Sequence, residues 1–474
     1  DLFHSGISER NFENFVDNCI EKANKDRNKR LWMFFDEINT TPLIPIISEL
    51  VTERKAHFAT KQNNELPDNI IVVCACNPFK FRSMDVDEEK SRRAEKAQLT
   101  HKVYPIPESL VSFSFNFGQL SPEDEITYIK SILRDEKIAD LDPNFMTTLS
   151  EALQLGQQFL RKNDSESAAS IRDIRRFTRL IAVFQRFGNY SIAEALMLGF
   201  YVCYSIRKRS DETTFREYRE RIEEFNDQIQ SRLSSILNKH NVRERSLERL
   251  FDTACQLYTK EVKRLKCWPD DISDNRPVRE NLFIVINCLI AKVPLFICGR
   301  PGTSKTVSIL IAKKLFEVSS QEKEQSTLFK QLPQAEFFQI WGSKEMSAEQ
   351  VQRHFDKTRA YSKSYAKRRR EDPKLPEKLF IVYFEEMGRA DTNENNPLKV
   401  MHPLLEPREA ENLEAETECF IGVSNTTLDA SKMSRMLYVP RCEMDRDELI
   451  ATLVDYRIDE RIRSKCPDLL RDVS

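Results

Sequence analysis

Gly299-Arg300-Pro301-Gly302-Thr303-Ser304-Lys305-Thr306 is the stretch on which the reading of this chain turns. An apolar run that reads as a strand, Val293–Cys298, leads into it, and Val307–Phe316, with helical character, leads out. In such a strand–loop–helix the loop's backbone N–H groups wrap a phosphate, and the helix N-terminus adds partial positive charge. Lys305 is expected to reach the β- and γ-phosphates and Thr306 to hold Mg²⁺, so the spacing predicts a nucleotide site, with an ordinary strand–turn–helix carrying a chance Lys as the plain alternative. One position departs from the usual pattern. Ser304 stands where Gly normally precedes the Lys, and Ser tolerates unusual backbone angles less well.

Working outward, two acid pairs close apolar strands. Leu31–Phe35 runs into Asp36-Glu37, and Leu379–Phe384 runs into Glu385-Glu386. At such a strand end the first acid is expected to orient Mg²⁺, giving Asp36 and Glu385, and the second to polarise the attacking water, giving Glu37 and Glu386. Glu385 is one methylene longer than the customary Asp. A further apolar strand follows each pair, Ile70–Cys76 before Asn77 and Cys419–Val423 before Ser424-Asn425. Asn77 and Asn425 are expected to hold that water, with a turn Asn as the plain alternative. Each copy thus carries a strand, two acids, a helix and a strand ending near Asn, at about 31–77 and 379–425, which reads as tandem domains of one fold. Two arginines complete the candidates. Arg172, in Ser170-Ile171-Arg172-Asp173, is placed to reach a phosphate from a lid, and Arg435 to project into a neighbour's site. A surface salt bridge is the plain alternative for both.

Between the copies the texture is helical. Ser121-Pro122-Glu123-Asp124 reads as a helix start, and helical patterns run to about Lys266. The charged residues 207–266 read as a long solvated hairpin, with a partner-binding arm as the alternative. Lys367-Arg368-Arg369-Arg370 reads as a solvated loop, with nucleic-acid or anionic-surface contact as the alternative, His402 as structural rather than a metal ligand, and Val103–Pro105 as a short strand.

Composition limits the remaining classes. The 474 residues allow about three domains. The 73 Lys and Arg nearly balance 75 Asp and Glu, which excludes gripping nucleic acid by bulk charge. Ten glycines exclude Gly-rich linkers, and none of the 11 cysteines falls in a CxxC pair, so zinc-finger and RING spacing is absent. Asn287, Lys292 and Pro294 interrupt the most apolar stretch, Leu282–Cys298, and argue against a membrane span. With no signal peptide visible and reduced thiols expected, a cytoplasmic setting follows. Opening on Asp1 rather than Met, the chain reads as part of a longer one.

Taken together, these motifs resemble the AAA+ ATPases, and more narrowly the mysterin family of giant AAA+ RING-type E3 ubiquitin ligases. The resemblance is carried in collinear order by Phe35–Thr41, Cys76–Phe79, Pro105–Leu110, Phe117–Leu120, Ser170–Asp173, Gly299–Thr306, Pro397–Lys399, His402–Glu406, Ser424-Asn425, Leu428-Asp429 and Lys432-Met433. It implies an α/β fold of two adjacent P-loop modules with parallel sheets of strand order 5-1-4-3-2, joined by a helical lid and linker. The division it implies is 1–118 for part of a first core, 119–275 for lid and linker, 276–445 for a second core and 446–474 for the start of a second lid. Asp36, Glu37 and Asn77 then match the first module's Walker B and sensor 1, and Arg172 its sensor 2. Lys305, Thr306, Glu386 and Asn425 match the second module's set, and Arg435 the finger given to a neighbour. The implied activity is Mg²⁺-dependent ATP hydrolysis driving conformational change. Implied partners are neighbouring AAA+ modules of the same chain, and ubiquitin-conjugating machinery only through domains absent here. A dynein- or midasin-like machine and a non-hydrolysing nucleotide-binding scaffold remain the alternatives.

Overall fold

The computed structural model describes residues 9–58, 64–76, 104–118, 120–136, 142–163, 169–206, 212–324, 326–393, 397–405 and 418–442. Asn77 and the segment 446–474 lie outside them.

The N-terminal unit has its own small core. Helix α1 (Glu9–Lys25) precedes β1 (Leu31–Phe35), α2 (Ile44–Thr52), a short antiparallel pair β2 (Lys55–Ala56) and β3 (Asn64–Glu65), and β4 (Ile70–Cys74). Strands β1 and β4 are parallel, with Met33 opposite Val72 and Phe35 opposite Cys74. Period-2 alternation buries Met33 and Phe35 against Phe12, Val16, Ile47 and Leu50. It leaves Trp32 and Phe34 on the outer face, 67% and 50% exposed. The strand expected at Val103–Pro105 is not seen at Tyr104 or Pro105; Tyr104 instead makes a single backbone bond to Asn39.

A block of helices follows: α3 (Pro122–Asp135), α4 (Pro143–Asn163), α5 (Ile171–Gly188), α6 (Ile192–Phe200), α7 (Glu212–Lys239) and α8 (Leu247–Arg264). Ser121 caps α3 by accepting from the Asp124 N–H, as its Ser-Pro-acid start predicts. The expectation of a solvated hairpin at 207–266 is corrected. In α7, Ile222, Phe225, Ile229, Leu233 and Ile236 recur at helical spacing and are buried, as are Leu250, Phe251, Ala254, Tyr258 and Val262 in α8. The many charges cover only the outward stripe.

The C-terminal unit is a five-stranded parallel sheet. Its strands are β5 (Leu295–Gly299), β6 (Gln334–Trp341), β7 (Lys378–Glu385), β8 (Glu418–Ser424) and β9 (Leu437–Arg441), in the spatial order β6-β7-β8-β5-β9. Numbered within this unit alone, that is the order 5-1-4-3-2. Helices α9 (Arg276–Ile290) and α10 (Lys305–Glu317) cover one face, and α11 (Ala348–Glu371), α12 (Met387–Asp391) and α13 (Met401–Leu405) the other. Both faces are buried, which is why β7 and β8 read as unbroken apolar runs. Leu379, Ile381 and Tyr383 face α9 and α10, while Phe380, Val382 and Phe384 point the opposite way, with Val382 and Phe384 packed among Phe296, Val351, Phe355 and Leu398. Lys367–Arg370 correct a second expectation. They form the exposed last turns of α11, not a loop, where basic side chains complement the helix dipole.

The helical block and the sheet share one hydrophobic core. Phe283 of α9 stacks on Phe184 of α5 and meets Phe251 and Tyr258 of α8 edge-on. The sheet and its helical neighbour are therefore one packed body on that side.

Candidate nucleotide site and trans-acting residues

The loop after β5 has the geometry its sequence predicts. Gly302 sits at φ +87°, a region L-residues avoid, with open space where a side chain would be. At Gly299 a Cβ would lie 2.5 Å from the Arg441 carbonyl oxygen of adjacent β9, so no side chain fits. Ser304 adopts the left-handed conformation, φ 59° and ψ 17°, at the point where Gly is usual. That conformation disfavours Ser by about 1–2 kcal/mol, and the surrounding loop holds it there.

Lys305, the first residue of α10, curls back into the loop. Its Nζ donates to the carbonyl oxygens of Gly299 (2.5 Å) and Arg300 (2.8 Å) and to Thr303 Oγ1 (3.2 Å). Burial pushes its pKa down, against the opposing pull of Cys298 and Glu386. Thr306 Oγ1 donates to Glu385 Oε1 at 3.2 Å, and Gln339 Nε2 of β6 donates to Glu385 Oε2 at 2.7 Å. The longer acid thus spans to the threonine directly. Neighbouring ligands of an octahedral Mg²⁺ with ~2.1 Å bonds stand about 3 Å apart, so these two oxygens fit such an ion. Among the described residues no group of three or more His, Cys, Asp or Glu is placed to hold a metal.

Glu386 follows in the left-handed region, φ 53° and ψ 36°, as the cap of α12. Asn425, just past β8, donates to both its carboxylate oxygens at 3.2 and 3.4 Å. Gly299–Thr306, Glu385, Glu386 and Asn425 therefore come together at the C-terminal ends of β5, β7 and β8, where ligands bind in open α/β sheets.

The first acid pair repeats this backbone. Glu37 also caps a short helix, Ile38–Thr40, at φ 52° and ψ 42°, and its N–H donates to Asp36 Oδ1 at 2.9 Å. Its side chain, however, meets the C-terminal unit. Arg435 Nη2 donates to Glu37 Oε1 at 3.0 Å, His402 Nδ1 lies 2.8 Å from Oε2, and Lys399 Nζ 3.8 Å from the same oxygen. All four residues are buried. Burial alone would raise the carboxyl pKa, but the His402 hydrogen bond and the Lys399 and Arg435 charges outweigh it and hold Glu37 well below the carboxylate range. The same burial, with Arg435 adding to it, lowers His402 to about 4 despite its bond to Glu37. His402 is then neutral at pH 7, and its Nδ1–H donates to the ionised Glu37. Lys399 falls to about 8 through burial, which Asp429 and Glu37 oppose. Its Nζ has no hydrogen-bond acceptor among the described residues.

Sequence reading named Arg435 but missed the rest of this contact. His402 reads as structural from the sequence, and Lys399 enters only within the Pro397–Lys399 segment of the resemblance, with no role attached. Both depend on which residues a distant turn brings to Glu37. Arg172 sits half-buried in the first turn of α5. One turn on, the buried Arg176 is the side chain that crosses to the C-terminal unit, donating to Asp173 Oδ1 at 2.8 Å and to the Ser434 carbonyl oxygen at 2.6 Å.

Comparison with known proteins agrees with this architecture. Residues 271–448 match the family model described as RNF213 AAA domain. Over 493 residues the chain is 27% identical to E3 ubiquitin-protein ligase rnf213-beta of Danio rerio, covering 95% of this chain and 9% of that protein. It is also 27% identical over 478 residues to E3 ubiquitin-protein ligase RNF213 of Homo sapiens, with 90% and 8% covered. To the Mus musculus RNF213 it is 24% identical over 467 residues, with 88% and 8% covered. The chain therefore spans less than a tenth of the length of these relatives. No helix among the described residues is long and apolar enough to cross a membrane. With the sheet order and the loop after β5 in hand, the chain is similar to RNF213 over most of its length, and residues 271–448 carry the match to the RNF213 AAA domain.

Proposed function

We propose that the C-terminal unit binds and hydrolyses Mg²⁺-ATP as part of an AAA+ motor, and that it supplies Arg435 to the site built around Asp36 and Glu37. The observation that carries this reading is the convergence of Lys305, Thr306, Glu385, Glu386 and Asn425 at one end of the sheet. The loop N–H groups and Lys305 would hold the phosphates, Lys305 exchanging its carbonyl contacts for phosphate oxygens. Thr306 and Glu385 would hold Mg²⁺, which withdraws charge from the phosphates when bound. Glu386 would accept a proton from a water that Asn425 orients. The water oxygen bonds to the γ-phosphorus as the bond to the β–γ bridging oxygen breaks, releasing ADP and inorganic phosphate. In the N-terminal unit, Asp36 and Glu37 would play the same parts, with Asn77 as the water-holding residue and Arg172 at the lid.

A non-hydrolysing scaffold is the second reading, favoured by the strained Ser304 and by the long Glu385 tied to Gln339. Ubiquitin transfer, which the relatives' names carry, is not assigned to any residue of this chain. Neighbouring AAA+ modules are the proposed partners and the cytoplasm the proposed location.

Calorimetric titration of the chain and of Lys305→Ala with Mg²⁺-ATP tests the pocket. The native chain is expected to bind and the variant to lose about tenfold or more in affinity, as removal of a charged phosphate contact should. Equal binding by both would remove the loop from the site. Phosphate release by the native chain but not by Glu386→Gln would exclude the scaffold reading.

A further inference from the structure

A buried ionic chain connects the two Walker B glutamates. Glu386 caps the five-residue helix α12, and Asp391 ends that helix. Asp391 Oδ1 accepts from Lys432 Nζ at 2.5 Å, and Lys432 also donates to Asp429 Oδ2 at 2.5 Å. Asp429 accepts in turn from the Ser431 hydroxyl and from the Lys432 N–H at 3.2 Å. The Ser431 carbonyl oxygen then accepts from Arg435 Nη1 at 2.7 Å, and the other arm of that guanidinium reaches Glu37. Lys432 is only 2% exposed. Burial alone would lower its pKa, but Asp429 and Asp391 reverse that and keep it charged.

We propose that Lys432 is a positioning residue. By bridging Asp391 and Asp429 it ties the helix that begins at Glu386 to the turn that presents Arg435. The state of the C-terminal nucleotide site thereby sets where Arg435 stands against Glu37. A buried ammonium shared by two carboxylates stabilises a fold poorly compared with apolar packing of the same volume, but it fixes one arrangement of the elements that carry it. Those elements here are the ones that a nucleotide and its neighbour would each touch. The inference rests on the nucleotide reading proposed above.

Hydrogen exchange read by mass spectrometry, on the whole chain with and without Mg²⁺ and a non-hydrolysable ATP analogue, tests it. In the native chain the analogue is expected to slow exchange at 300–306 and also to change it at 36–44. Asp391→Ala cuts the bridge and leaves the Lys432–Asp429 pair intact. It is expected to keep the slowing at 300–306, with affinity within about twofold, and to lose most of the change at 36–44. Lys432→Arg, which preserves the charge, is expected to retain that change. Should Asp391→Ala fail to fold, Asp391→Asn keeps the volume and is read on the same peptides with the same expectation. An undiminished change at 36–44 in the Asp391 variant overturns the role of Lys432. So does a native chain that responds at 300–306 but not at 36–44. A native chain with no response at 300–306 removes the nucleotide reading, and the positioning role with it.

Discussion

Glu37 and Glu386 share a left-handed backbone just past the ends of β1 and β7, two residues and one residue on, yet their carboxylates meet different surroundings. Glu386 is partly exposed and faces Asn425 within its own unit, whereas Glu37 is enclosed by Arg435, His402 and Lys399 from the other. The Arg435–Glu37 contact is direct and desolvated, so the two residues should be energetically coupled. A double-mutant cycle of Arg435→Ala and Glu37→Gln, read by urea denaturation, is expected to give a coupling of about 0.5–3 kcal/mol. Additive effects would show that the pair contributes no mutual stabilisation. His402 makes the same contact sensitive to pH. Its buried pKa of about 4 lies below the ordinary 6.5, so the unfolded chain takes up a proton first as pH falls. Stability present above pH 6.5 is lost progressively between 6.5 and 4, by about 2 kcal/mol at pH 5. Denaturation midpoints measured across that range should decline for the native chain and flatten for His402→Gln.

At the level of elements, α9 determines how the helical block and the sheet hold together. Its apolar residues point both ways, and Phe283 sits fully buried among Phe184, Phe251 and Tyr258. Phe283→Ala removes that packing and leaves a cavity, which is expected to lower unfolding free energy by about 3–5 kcal/mol. Chemical denaturation followed by circular dichroism measures it, and a loss below about 1 kcal/mol, the size of a surface effect, would mean that the two bodies are not coupled through this ring. Helix α11 shows the opposite arrangement. Val351, Phe355, Thr358 and Ser362 form a narrow buried stripe, and the basic run at its end faces away from the sheet.

Across the whole molecule, one continuous core spans the helices α3–α8 and the near face of the sheet, while the N-terminal unit keeps a separate core. The polar contacts of Glu37 join the N-terminal unit to that body, and Arg176 adds a bond between the helical block and the C-terminal unit. A nucleotide bound at the loop after β5 should therefore stabilise the helical block together with the sheet. At a hundredfold excess over Kd the expected gain is about 2.7 kcal/mol. Scanning calorimetry should show the transition of that larger body shifting as one. A shift confined to part of it would contradict a shared core.

Much of this was legible without the fold. The loop Gly299–Thr306, both acid pairs and Asn425 stand out because their signals are local: strand, tight turn and helix start lie within a dozen residues, and backbone sterics dictate the residue types. The buried faces of α7 and α8 were obscured because their outward stripes are so highly charged that composition outweighed periodicity. Strands β6 and β9 carried no motif and were recognised only through pairing. The surroundings of Glu37 belong wholly to tertiary structure. Lys399, His402 and Arg435 lie more than 350 positions away along the chain, and each is an ordinary residue until folding removes water and sets three nitrogen-bearing side chains around one carboxylate. The sequence by itself determined the strand–loop–helix around Gly299–Thr306 and the acid pairs that end its strands. Only the tertiary structure decided which of them share a site, because burial and juxtaposition, not residue type, set the strength of a charge.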